Sequence, residues 1–172
     1  MPRILFSVFA CGLLVAITSF PCIAQSSEKE SLRGLKGIYV LVERISGRVE
    51  QRGLTTSQLK TDAELKLRKA GIRVATRGES LDSNVGTLHI SVTANPTQTV
   101  PNLYQVSIIV ELLQEVRLVR DPTITVVSAT TYAASSTCGT VGIDHLRDDV
   151  RSAASDDVDV FINDYLAMNP KS

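Results

Sequence analysis

Histidine and cysteine, the residues behind most metal sites and much side-chain catalysis, are nearly missing from this chain. It has two histidines and three cysteines in 172 residues, and two of the cysteines fall within the first 24. Two histidines offer little for a metal centre or for His-based acid–base chemistry. Beyond the amino-terminal run only Cys138 remains. One cysteine cannot form an internal disulfide, so stability must come from a core. Excess charge is also absent: Lys plus Arg and Asp plus Glu number 18 each. Removing the first 24 residues takes away only Arg3 and leaves 17 against 18. Nothing here attracts nucleic acid or an anionic lipid surface in general, since such affinity comes from neutralising many phosphates. No G-x-S-x-G elbow, H-E-x-x-H pair, P-loop or strand-linked G-x-G-x-x-G occurs. Its 172 residues have room for one domain of common size, and not comfortably for two. What the chain has is a 44% apolar fraction, that of an ordinary globular protein.

The amino terminus carries the clearest pattern. Arg3 precedes an apolar run over residues 4–20 (ILFSVFACGLLVAITSF), Pro21 breaks it, and Cys22-Ile23-Ala24 ends in a small residue before Gln25. Basic start, apolar middle and small-residue end are the parts of a secretory leader, with cleavage after Ala24. The alternative is an uncleaved anchor, for which the run falls short of the roughly 20 residues that cross a bilayer. A lipid-modified cysteine needs a small residue before it and a Leu-like residue three before it. Cys22 follows Ser19-Phe20-Pro21 and fits neither, and Cys11 has too little apolar sequence upstream. The expectation is an exported chain, periplasmic or extracellular, with no membrane insertion after cleavage.

Residues 25–33 (QSSEKESLR) are polar and aperiodic and read as a flexible tether. A single α+β domain is expected over residues 34–170. Residues 38–45 (IYVLVERI) read as a covered strand, and 46–53, polar with two glycines, as a loop. Thr55 and Gln58 form a capping box, with Leu54 and Leu59 placed as a hydrophobic staple. Leu59, Ala63, Leu67 and Ala70 share one helical face, and Gly71 ends it. Residues 72–75 begin a short strand. Three further strands follow as an antiparallel meander. In the first, Leu88, Ile90, Val92 and Ala94 alternate with polar partners. In the second, Tyr104, Val106, Ile108, Val110 and Leu112 do so, with Val116 and Leu118 beyond. The third covers 123–133. Residues 142–168 close the chain as an amphipathic helix with an acidic outer face that includes Asp156, Asp157 and Asp159. The order predicted is β-α-β-β-β-β-α: a two-layer, five-stranded, mostly antiparallel sheet with both helices on one face. Basic residues on the first helix (Lys60, Lys66, Arg68, Lys69) and acids on the last predict that the two lie side by side.

Few side chains point to chemistry. His89 is expected at a solvent-facing strand position and His145 in the first turn of the last helix, neither as a ligand. Asp156-Asp157-Val158-Asp159 lacks the glycine and the alternation of a calcium loop and reads as a solvated helix face. No metal, cofactor or catalytic residue is assigned. Cys138, in the Ser/Thr-rich stretch 135–140, is expected in a loop before the helix amino terminus, where the dipole favours a thiolate. A reactive or intermolecularly paired thiol is one reading, a partly buried small residue the other. The remaining candidate is the outer face of the sheet. With Val106, Ile108 and Val110 towards the helices, Ile109 and Leu113 point away, near Leu41 and Val127, as a patch that a partner or second copy could cover.

The phrases LRKAGIRV, YQVSIIVELLQEVRLVRD and FINDYLAMNPK resemble those of uncharacterised exported bacterial proteins. The order of elements is similar to the amino-terminal domain of TolB and to related curli-secretion and penicillin-binding-protein-activator lipoprotein domains. That resemblance implies an envelope accessory domain that binds other proteins and catalyses nothing. It carries over no functional residue, and the chain departs from those relatives in lacking a lipid-attachment motif. The expected function is a non-enzymatic exported interaction domain whose partner is an envelope protein or a second copy. A thiol-dependent redox protein or enzyme using Cys138, and a small-ligand module with a pocket between sheet and helices, are the alternatives.

Overall fold

The structure, a computed structural model, describes residues 28–170. The expected leader, residues 1–24, and the first residues of the expected tether lie outside that range. Four strands form: β1 (Gly37–Val42), β2 (Val85–Pro96), β3 (Leu103–Leu118) and β4 (Asp121–Gly142). Two long helices accompany them, α1 (Thr56–Lys69) and α2 (Leu146–Met168), with short helical turns at Gly47–Glu50 and Arg77–Glu79. The strands lie in chain order. β1 pairs parallel with β2, while β2–β3 and β3–β4 are antiparallel.

Alternation in the sequence becomes two unlike faces. Val40, Leu88, Leu112 and Tyr132 are register partners across all four strands, and each is buried. The next row, Leu41, His89, Glu111 and Ala133, points to the opposite side. The first row meets Leu59, Ala63 and Leu67 of α1 and Val150, Ala154, Val158 and Phe161 of α2 in one core. Full burial of each Leu, Val or Phe side chain among them contributes about 1.5–3 kcal/mol. Phe161 sits between Tyr132 and Tyr165, its ring centroid 6.2 and 6.0 Å from theirs.

Local signals explain α1. The Thr55 hydroxyl accepts from the Gln58 N–H, and the Gln58 side chain accepts from the Thr55 N–H. Gly71 follows in the left-handed region at φ 78°, where a Cβ would be strained. The helices lie together on one face, as expected. Lys66 pairs with Asp159, and Arg151 grips Asp62 with two hydrogen bonds of 2.9 and 3.0 Å. The second pair reverses the expected polarity, since there the acid is on α1.

Several expectations need correction. The sheet has four strands, not five, and is mixed. Residues 72–75 make only one parallel bridge, Val74 to Ile38, before Thr76 leads into a turn. The parallel β1–β2 pair follows from the intervening α1, a crossover that returns the chain in the same direction. The last strand runs past 133 to Gly142, and α2 starts at Leu146, because residues 135–142 complete the ladder of a 16-residue β3. The tether assignment also fails for its second half. Residues 28–30 are helical, and Leu32 is fully buried, so the folded part begins by Glu28 rather than at Gly34. Asp157 does not sit on a solvated face. It is 6% exposed, and its Oδ1 accepts from the hydroxyls of Ser135 and Thr137 at 2.7 and 3.1 Å.

Candidate functional site: the open sheet face

With both helices on one side, the other side of the sheet has no covering layer among the described residues. Its centre is polar. His89 on β2 lies between two carboxylates, Nδ1 3.0 Å from Glu111 Oε1 and Nε2 3.2 Å from Glu43 Oε1. Ser91 donates to Glu43 at 2.7 Å and Thr130 to Glu111 at 2.8 Å. Register builds this row. Leu41–His89 and His89–Glu111 are strand partners, Glu43 follows the end of β1, and Ser91 lies two residues along from His89 on the same face. The Ser91 hydroxyl above all, helped by the nearby His89, holds the Glu43 carboxyl below its ordinary value against the opposing effect of burial. A neutral imidazole has one N–H and can donate to one of the two acids; donation to both requires a protonated ring. His89 is therefore more covered than expected, its side chain only 13% exposed. Its two nitrogens face different carboxylates, so the three groups share no point where an ion could sit. Among the described residues no cluster of His, Cys, Asp and Glu could hold a metal.

On one side of this clamp lies a cleft of about 180 Å³. Leu41, Leu113 and Val127 line it together with Tyr39 and Leu81. Leu41 is 40% and Val127 60% exposed, while Leu113 is half-buried. Ile109, also 40% exposed, stands on the far side of the clamp, paired with Ser91 and Ser136. The structure thus gathers three of the four expected residues and sets Ile109 apart. Tyr39 and Leu81 were missed. Tyr39 could have been found by extending the Leu41 alternation back by two. Leu81 had only the weak signal of one apolar residue in a polar stretch.

Cys138 needs correction. It lies within β4 opposite Ser107, exposed on the open face, its Sγ 3.6 Å from the Ser107 hydroxyl. Because α2 begins only at Leu146, the thiol is outside the first turn, where a helix dipole acts. His145 is the cap residue of α2, with no side-chain cap bond. Between sheet and helices the clefts measure about 60 and 10 Å³, far below the roughly 300 Å³ at which small-molecule pockets begin. No helix of the described residues is long and apolar enough to cross a membrane.

No family model matches the chain, and no curated protein does. Among solved structures, the chain is similar to a candidate lipoprotein from Caulobacter crescentus CB15. The two share 17% identity over 84% of this chain and 98% of that one, with a TM-score of 0.40.

Proposed function

We infer that this protein is a non-enzymatic accessory domain of the bacterial envelope, exported by its amino-terminal leader, which meets a protein partner through the open sheet face. One observation carries the reading: an antiparallel-rich sheet that, among the described residues, helices cover on one side only, presenting on the other a cleft in which Tyr39, Leu41, Leu81, Leu113 and Val127 stand among polar side chains, beside an ordered polar clamp. One solvated face is ordinary for an antiparallel-rich sheet; what stands out is the group of partly exposed apolar side chains on it, Leu41, Leu81 and Val127, which a partner would meet beside the hydrogen-bonding groups of the clamp. The filled space between the layers favours this over a ligand module. A photo-crosslinking residue at Ile109 or Val127, in cells exporting the full chain, should give a discrete adduct with an envelope protein. The same residue at Leu65, exposed on α1, should not. Adducts at Leu65 alone would overturn the reading. The double substitution I109K/L113K should abolish the Val127 adduct without lowering the amount of folded protein.

A further inference from the structure

The two outer edges of the sheet are finished differently. Along β1, the Ile38 N–H donates to the Arg73 carbonyl and the Ala75 N–H to the Ile38 carbonyl, each at 2.9 Å. That segment covers the start of the edge, at Ile38. β4 is the terminal strand on the other side. Among the described residues, two groups from outside the β3–β4 hairpin bond its backbone: the Ser31 hydroxyl on the Thr131 carbonyl, and the His145 N–H on the carbonyl of Gly142 at the strand's end.

Exposed edges are normally guarded by charge, proline or bulges. β4 is guarded over one half only. Its first half opens with Asp121-Pro122 and faces four register irregularities between Val110 and Leu118 of β3. Residues 135–142 instead make eight consecutive regular pairs with residues 103–110. They contain no proline, and no residue from 122 to 143 is charged. Their side chains (SSTCGTVG) are all small. A Cβ added at Gly139 or Gly142 would meet nothing within 4 Å, which fits strand glycines that let another backbone come close.

We propose that residues 135–142 of β4 pair antiparallel with the same residues of a second copy, joining two four-stranded sheets into one of eight. An uncharged strand meets itself without like-charge repulsion, whereas a charged peptide gains nothing from it. Isologous pairing is also the commonest symmetry of homo-oligomers. Partners across an antiparallel ladder lie on the same side of the sheet. A two-fold axis normal to the sheet must therefore set one residue against its own copy. Residues 135–142 can be centred on Cys138 or on Gly139; because β4 stops at Gly142 but continues below Ser135, only the Cys138 register leaves all eight of them paired within the strand. That register puts Ser136 opposite Thr140 of the second copy, both on the open face and both exposed.

The test uses the full chain, expressed with its own amino terminus and purified after export. Sedimentation equilibrium should show a dimer, and a nitroxide on Cys138 should show strong dipolar broadening. S136K/T140K sets lysine against lysine twice and should weaken association about tenfold. S136K/T140E sets lysine against glutamate and should restore it. Neither position is in the core, and thermal melts confirm folding. A monomer overturns the proposal. So does a dimer indifferent to S136K/T140K, or one weakened equally by both variants. A monomer whose amides at 135–142 resist exchange assigns the edge to residues before Glu28 and likewise overturns it. I109K/L113K should leave this dimer intact, so its failure and that of the open-face reading are separable.

Discussion

The two faces of the sheet are built from alternate residues of the same strands, yet they solve different problems. Towards the helices, Val40, Leu88, Leu112 and Tyr132 are matched against Phe161 and its neighbours, and almost every side chain is apolar. On the other side the same strands carry Glu43, Ser91, Thr130 and Glu111 around His89, with apolar groups left partly exposed. The first face packs against the helices; the second is ordered by hydrogen bonds among its own side chains. That difference is why we propose the open face for recognition.

The contrast predicts a graded series. Phe161→Ala, which empties the middle of the covered face, should cost about 3–5 kcal/mol in denaturant unfolding. A loss under about 1 kcal/mol would mean that the core collapses around the gap. Tyr132→Phe keeps the ring and removes the hydroxyl that donates to Asp164. It should cost about 1.5 kcal/mol, as for a hydrogen bond to a charged acceptor, and leave the Lys29–Asp164 pair in place. Burial and the Asp164 carboxylate push the Tyr132 phenol well up, so no tyrosinate from it should be seen before alkaline unfolding. Ile109→Lys, on the open face, should stay within about 0.5 kcal/mol of the parent. A large loss would show that this face carries stability after all.

Smallest is a pH-dependent effect outside both faces. The Thr76 N–H, helped by Arg73 and the Thr76 hydroxyl, holds the Glu79 carboxyl down at about 2 against an ordinary 4.5. A depressed acid stabilises the fold above its unfolded value and loses that contribution as pH falls towards the folded one. Melting curves of the parent and Glu79→Gln should therefore differ slightly above about pH 4.5 and converge near pH 2. Curves that diverge on acidification would contradict the assignment.

Much of this architecture was legible where the signal is local. Thr55, Gln58 and Gly71 mark both ends of α1, and the alternation from Leu88 to Leu112 separates the faces. Residues 135–142 were not legible as a strand. Serine, threonine and glycine favour turns, and what makes them a strand is the ladder supplied by β3, a partner distant in sequence. Asp157 misled for a related reason: an acid on a helix reads as solvated until hydroxyls from β4 are seen to reach its carboxylate. The His89 clamp depends on the relative register of β1, β2 and β3, which no spacing within one strand reveals. The cleft was half legible, since Leu113 and Leu41 follow from alternation while Leu81 enters from a loop.

Asn169, at the close of α2, accepts the Gly34 N–H through its side-chain oxygen at 2.8 Å and donates to the Leu32 carbonyl at 2.9 Å. The Tyr165 hydroxyl likewise donates to Leu35. Where the polypeptide enters and where it leaves are thus fastened to each other, far apart in number but adjacent in space. A circular permutant joined across this seam and opened at the hairpin tip, where Val119 is 99% exposed, should melt close to the parent. Marked destabilisation would mean that chain order itself matters. Tension applied to the chain ahead of Glu28 would then reach the final turn of α2 directly, so that the two ends of the described region respond to load as one piece.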